Sequence, residues 1–147
     1  MIAKPRLRAA TRADLPRIAL IRHGTTENRL SDPDRVSDGE VLWYLDEAIF
    51  LVSEGDQDVQ GKAVQGFVCA NHQTGLVWAL FVDESARGRG HGTALLEAAL
   101  ERLKAMCHAQ AFLETDADSR AVAFYEARGW RLRGMNSEGE AVLTLPL

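Results

Sequence analysis

The chain has little to offer a metal, a membrane or a polyanion. Only two of its 147 residues are cysteine, Cys69 and Cys107. They lack C-x-x-C spacing, so neither a zinc knuckle nor a disulfide framework is expected, and reduced thiols in a cytoplasmic protein are. The four histidines, His23, His72, His91 and His108, form no i, i+3 or i, i+4 pair, which leaves no metal site in view. Basic residues are in deficit, 17 against 21 acidic, for a net charge of −4. That argues against nucleic acid and anionic membranes as partners. No apolar run approaches spanning length, and Met1 to Arg8 is charged where a signal peptide would be apolar. Repeats, low-complexity tracts and linkers are also missing, so one domain over residues 1–147 is expected. A chain of this size buries roughly 70% of its unfolded surface and needs no staple.

What is present alternates between strand and helix signals. Leu7 to Ala10 reads as a short strand. Thr11, Asp14 and Pro16 supply start chemistry for a helix from Asp14 to His23. Ser37-Asp38-Gly39-Glu40 has capping-box spacing ahead of a second helix carrying Val41, Leu42, Leu45 and Ala48. Ile49 to Ser53, Val64 to Ala70 and Leu76 to Val82 read as a strand meander, with Glu54 to Lys62 as a polar connection. Gly92 to Met106 sets Leu95, Leu96, Ala99 and Leu103 on one helix face. A strand over Ala111 to Glu114 follows, then a helix capped by Asp118 or Ser119 and closed by Gly129. Trp130 to Arg133 and Ala141 to Leu145 form a last hairpin. The order β-α-α-β-β-β-α-β-α-β-β predicts an α/β (mixed α+β) fold: one twisted mixed sheet with helices on both faces.

The densest chemical signal is Arg87-Gly88-Arg89-Gly90-His91-Gly92-Thr93, between the strand ending at Val82 and the longest helix. Glycines let main-chain N–H groups converge, and a helix start adds unpaired donors and partial positive charge. Two arginines add full charges and Thr93 a hydroxyl. A phosphate-bearing ligand is implied. The Rossmann pattern fails at Thr93, and the Walker lysine is absent.

These segments resemble the GNAT superfamily of acyl-CoA-dependent N-acyltransferases. The family's loop, Q/R-x-x-G-x-G/A, is matched by Arg87 through Gly92. Its A-x-x-x-Y helix with a following Gly-aromatic pair is matched by Ala121 to Tyr125 and Gly129-Trp130. The departure is Asp118, where the family often has Asn; Ser119 beside it is the candidate cofactor contact. The resemblance implies a three-layer fold, acetyl-CoA as co-substrate without metal, and a small-molecule or peptide primary amine as acceptor. Attack is then direct, in a ternary complex. Arg87, Gly88, Arg89, Gly90, His91, Gly92 and Thr93 would cradle the diphosphate, and Leu80, Phe81 and Val82 would run beside the pantetheine arm. A main-chain N–H near Phe81 or Val82 would hold the oxyanion. Tyr125, by pattern alone a packed helix aromatic, becomes the general acid toward the leaving thiolate. Glu114 is the best-placed carboxylate for a general base, against a solvated strand-end charge or a water chain.

Two other functions compete. A non-catalytic acyl-CoA-binding module would keep the loop without an acceptor site. Arg22-His23-Gly24-Thr25-Thr26 resembles the R-H-G-x-T signature of histidine phosphatases, with His91-Gly92 in place of the second histidine. That signature follows a buried strand, whereas a helix closing on His23 and Gly24 fits this context better. The acidic stretch Glu27 to Glu47, with Trp43 and Tyr44, reads as solvated charge and core aromatics; as pocket walls it would favour a cationic amine. Edge strands in the C-terminal hairpin offer a surface for a homodimer.

Overall fold

The central strands are apolar in successive residues, and successive side chains of a strand point to opposite faces, so each strand lays an apolar row on either face of a sheet. The computed structural model describes residues 5–24, 38–59, 62–117 and 120–147. Its elements follow the expected order: β1 (Arg6–Ala9), α1 (Leu15–Gly24), α2 (Asp38–Glu47), β2 (Ile49–Val59), β3 (Lys62–Asn71), β4 (Leu76–Val82), α3 (His91–Ala105), β5 (Gln110–Asp116), α4 (Arg120–Glu126), β6 (Arg131–Met135) and β7 (Glu140–Pro146). Short 3-10 turns at Arg12–Asp14 and Glu84–Ala86 lead toward α1 and α3. The Ser37 capping box and both candidate caps of α4, Asp118 and Ser119, lie outside the described residues.

The strands stand in the order β1-β2-β3-β4-β5-β7-β6. β1 through β4 pair antiparallel, and so do β5, β7 and β6. β4 and β5 are parallel neighbours, joined by the crossover through α3. The connection expected over Glu54 to Lys62 is instead largely extended strand, since β2 runs to Val59 and β3 starts at Lys62, although residues 55–58 have no registered partner among the described residues between Glu54↔Val64 and Val59↔Lys62. Polar side chains do not prevent main-chain pairing; they mark where the hairpin outruns the core. Register shifts at Ser53/Glu54 and Glu54/Val59 fall where that happens.

One face of the sheet carries α3 and α4, the other α1 and α2. Leu95, Leu96, Ala99 and Leu103 of α3 are buried on Leu51, Val68, Leu80 and Leu113. Ile18, Ile21, Val41 and Tyr44 cover Phe50, Val52, Phe67 and Phe81 on the opposite side. Each buried leucine contributes roughly 2 kcal/mol from removal of apolar surface from water. The start of α1 is fixed by Asp14, which accepts from the Thr11 N–H at 2.8 Å and takes a two-pronged ion pair from Arg8 at 2.8 Å. The Arg8 hydrogen bond holds its carboxyl below the ordinary value, against a smaller opposing effect of burial.

Two irregularities matter for function. Cys69 faces Ala79 while the next residue, Ala70, faces Val77, so Trp78 is the extra residue of a bulge in β4. Trp78 and Ala79 therefore both turn toward the α1/α2 face, and Leu80 returns to the α3/α4 face. The second irregularity is the pairing of β4 with β5, registered only at Leu76↔Phe112. Beyond that point the strands part, while β5 and β7 stay paired from Gln110↔Pro146 to Asp116↔Glu140. At its far end α3 closes on Cys107, exposed and left-handed at φ 67°, with His108 N–H bonding back to Leu103 O at 3.2 Å. Cys69 is buried and its thiol also free.

Candidate active site

The chain leaves β4 through a fastened corner. Asp83 N–H bonds Gln65 O at 2.8 Å, and its carboxylate accepts from Ser85 N–H, Ser85 Oγ and Arg17 Nη2 at 2.7 to 2.9 Å. Burial pushes the Asp83 carboxyl up, but the Ser85 and Arg17 hydrogen bonds more than offset it and leave it below the ordinary value. Arg17 also donates to Val64 O at 2.8 Å, so α1 and β3 brace the point where the bend begins.

Within the bend, Gly88 (φ 77°) and Gly90 (φ 87°) are left-handed, and a Cβ at either would touch nothing within 4 Å. Their glycines answer to backbone conformation, not to crowding. Gly90 caps α3, its carbonyl accepting from Ala94 N–H at 3.0 Å. Gly92 differs. It carries no positive φ, and a Cβ there would meet the Phe124 ring at 3.6 Å and Val82 at 3.7 Å, ordinary contact distances. His91 turns inward between these glycines, where Nδ1 lies 2.9 Å from Oγ of the fully buried Ser53 on β2. Burial, then the charge of Arg89, holds its imidazole below the ordinary 6.5. The first residue of α3 is thereby tied to the sheet by a neutral side chain.

A cavity of about 720 Å³ opens between this bend and α4. Leu80 and Val82 form its floor, and Arg87, Gly88, Gly90, His91, Gly92 and Thr93 its near wall. Arg120, Ala121, Ala123, Phe124, Tyr125 and Arg128 form the far wall. Among the described lining residues there is no carboxylate. The site combines the N-terminus of a 15-residue helix with three guanidinium groups. That donor set fits a diphosphate.

Strand geometry directs the floor. Because Asp83 N–H faces β3, Phe81 faces it too, in register with Phe67, and the main-chain groups of Leu80 and Val82 point the other way, toward the gap at β5. Tyr125 is buried at the inner end, edge-on to Phe124 at 5.2 Å and to Trp130 at 5.5 Å. Burial pushes its phenol well up, against the opposing charge of Arg128. It keeps its proton and can only donate it.

Of the expected cofactor residues that the structure describes, most converge here and two, Phe81 and Arg89, do not. Phe81 is turned away: its side chain stacks on Phe67 at 5.4 Å in the core of the opposite face, and its main chain faces β3, whereas the main chain of Val82 faces the gap at β5. Arg89 is exposed and not part of the lining. Ser119 lies outside the described residues. Glu114 is likewise not in the lining; on β5 it accepts from Asn136 Nδ2 at 2.9 Å. Sequence reasoning missed Arg120, Phe124 and Arg128. Their i, i+4, i+8 spacing was the available signal, Arg120 and Phe124 lying on α4 and Arg128 in the turn just after it.

Trp43 and Tyr44 are spent on packing rather than on walls. Tyr44 stacks on Trp78 at 4.4 Å and Trp43 on His72 at 6.3 Å, near the turn from β3 to β4. Arg22 and His23 end a helix instead of following a strand, and His91 is committed to Ser53, which removes the phosphatase constellation. Among the described residues no group of three or more His, Cys, Asp or Glu is placed to hold a metal ion. None of their helices is long and apolar enough to cross a membrane.

Residues 16–130 match the sequence model of the Acetyltransferase (GNAT) family, and the chain belongs to that family. It is an acyl-CoA-dependent N-acetyltransferase. No curated protein sequence matches it significantly. Solved structures share its fold. The PaiA N-acetyltransferase of Thermoplasma acidophilum, in complex with coenzyme A, has a TM-score of 0.81 at 14% identity over 99% of this chain and 100% of that one. YncA of Salmonella typhimurium, with its cofactor acetyl-CoA, gives 0.71 at 17% over 99% and 95%. The ribosomal-protein-alanine N-acetyltransferase of Brucella melitensis gives 0.72 at 20% over 97% and 99%.

Proposed function

We propose that acetyl-CoA lies in this cavity with its diphosphate on the amides of residues 88–93 and its thioester against Tyr125, and that a primary amine attacks the thioester directly. The observation that carries the reading is the continuity of one space from the α3 N-terminus to a buried, protonated phenol, along the parted edge of β4. Leu80 and Val82 would pair with the amides of the pantetheine arm, as a neighbouring strand would. The Val82 N–H would hold the charge that develops on the carbonyl oxygen. Tyr125 would protonate the departing thiolate sulfur. Holding both substrates together makes the attack effectively intramolecular and needs no covalent enzyme intermediate.

Glu114 is our candidate for the group that takes the amine's proton, directly or through a water chain. Ala111 and Leu113 face α3 and α4, so alternation turns Glu114 to the α1/α2 face, where an amine can approach from the side opposite the cofactor. The acceptor is a small-molecule or peptide amine, and an amine panel assayed with acetyl-CoA identifies its class. We assign the cytoplasm as compartment, supported by two free thiols, and read residues 1–147 as one acyltransferase domain. A homodimer through the edge strand β6, where Leu132 and Met135 are exposed, belongs to the same proposal; light scattering reads it.

Tyr125→Phe tests the chemistry. Amine-dependent thiol release should fall about 100-fold, with acetyl-CoA affinity within about twofold of wild type. Unchanged turnover removes the acid role. Tight acetyl-CoA binding with no amine-dependent release in the wild type would instead favour the non-catalytic module.

A further inference from the structure

Arg128 stands at the outer rim of the cavity in an unusually determined position. Its guanidinium lies over the Phe124 ring, 3.6 Å from the centroid. Nη1 donates to Phe124 O at 2.8 Å, and Nη2 donates to Thr93 Oγ1 at 2.9 Å, joining the turn that closes α4 to the first turn of α3. Stacking and two hydrogen bonds hold this exposed side chain before any ligand arrives. Two of the five guanidinium donors are used. The other three have no partner among the described residues.

The ligand's own chemistry says what such a group is for. Coenzyme A carries a diphosphate and, on the same ribose, a 3′-phosphate monoester with close to two negative charges at neutral pH. The acyl arm must run inward to reach the buried Tyr125. The sugar therefore leaves the diphosphate on the outer side, beside Thr93, and its 3′-phosphate follows within one sugar ring. We infer that Arg128, stacked on Phe124 and anchored to Thr93, is the residue that reads the 3′-phosphate and makes the enzyme selective for coenzyme A over its 3′-dephospho form. A preorganised planar fork matches a phosphate monoester, and little side-chain freedom is lost when the two meet. Since Thr93 Oγ1 accepts from Arg128, its hydroxyl proton stays available to the diphosphate. Thr93 thus links recognition of the two phosphate groups.

The inference rests on the seating of acetyl-CoA in this cavity. The experiment compares acetyl-CoA with acetyl-3′-dephospho-CoA on the full chain, by kcat/KM and by titration. Wild type should prefer acetyl-CoA by about 30-fold, the weight of charge-assisted hydrogen bonds to one phosphate. Arg128→Gln should cut that preference to less than about threefold by raising KM for acetyl-CoA, with KM for the dephospho form moving less than about threefold. Arg128→Lys should recover part of the preference, because charge returns without the fork. If Arg128→Gln does not fold, Thr93→Val releases the guanidinium from its anchor and should lower the same ratio. Equal losses on both substrates, a wild type without preference, or an unchanged ratio in Thr93→Val overturns the role of Arg128. If neither form binds, the seating of acetyl-CoA falls with it.

Discussion

The two faces of the sheet are built from different materials. On the α3/α4 face the described cavity is lined by glycines, arginines and apolar side chains without a carboxylate. On the α1/α2 face, Glu114 is bridged by Asn136 Nδ2 to the buried Glu140, at 2.9 and 3.1 Å. Glu140 is opposite Asp116 in the ladder. The first surface is cationic and the second carries carboxylates, and the parted strands β4 and β5 lie beside both. The lesson is a division of labour. A ligand common to many enzymes is read by backbone conformation, which admits few solutions. A ligand particular to one enzyme is read by side chains, which admit many.

Breaking that division is straightforward. The largest effect is expected from Glu114→Gln, which should lower amine-dependent kcat about 100-fold at neutral pH and leave KM for acetyl-CoA near its wild-type value. If acetyl-CoA KM rises and kcat holds, the carboxylate belongs to the cofactor side and the contrast between the faces fails. Gly90→Val comes next. A branched side chain at φ 87° costs about 1–2 kcal/mol of backbone strain and should raise acetyl-CoA KM roughly tenfold; Gly90→Asn should do less, since Asn tolerates that region.

Gly92→Ala sharpens the contrast further, because fold and ligand should respond in opposite directions. The added methyl meets only ordinary contacts inside the protein. A helix gains up to about 1 kcal/mol from replacing Gly by Ala. The melting temperature should hold or rise, while KM for acetyl-CoA increases several-fold as the methyl projects toward the cofactor. A loss of stability would mean that Gly92 is there for packing.

The smallest effect is one of pH. The His91 imidazole lies below 6.5 when folded, so below that pH the unfolded chain binds a proton that the folded one refuses. The stability this contributes is present above pH 6.5 and is lost as pH falls toward the folded value. The groups that face the ring are Ser53, by hydrogen bond, and Arg89, by charge. In His91→Asn the decline between pH 6.5 and 5 should flatten, as read by urea unfolding without cofactor. An unaltered slope would assign the decline elsewhere.

How much of this was legible in the sequence follows from the same contrast. The bend at Arg87 to Thr93 could be read because its glycines, charges and helix start are contiguous and each has a physical reason to be there. Element order was legible from periodicity, since Leu95, Leu96, Ala99 and Leu103 face one way on a helix and few other patterns bury them. The direction in which Phe81 faces was not legible, because alternation alone does not say which residues of β4 turn their main chain to β3. The bulge at Trp78, a one-residue event with no sequence mark of its own, resets the facing of every later side chain. The strands beyond Ser53 run further than their polarity suggests, because extended main chain continues past the last apolar residues. Arg120, Phe124 and Arg128 were visible at helical spacing, but a spacing of mixed chemistry gains meaning only when Thr93 is seen across from it. Trp43 and Tyr44, read as core aromatics from the sequence, pack on His72 and Trp78 respectively, although only the structure supplies those partners.

The left-handed close of α3 has a practical consequence. Because Cys107 is exposed there while Cys69 is sealed in the core, the native enzyme presents one reactive sulfur to a colorimetric disulfide reagent. Any assay that counts liberated coenzyme A with such a reagent will therefore carry a constant background of one equivalent per chain, and a rise to two in the absence of substrate will report that the protein has come apart.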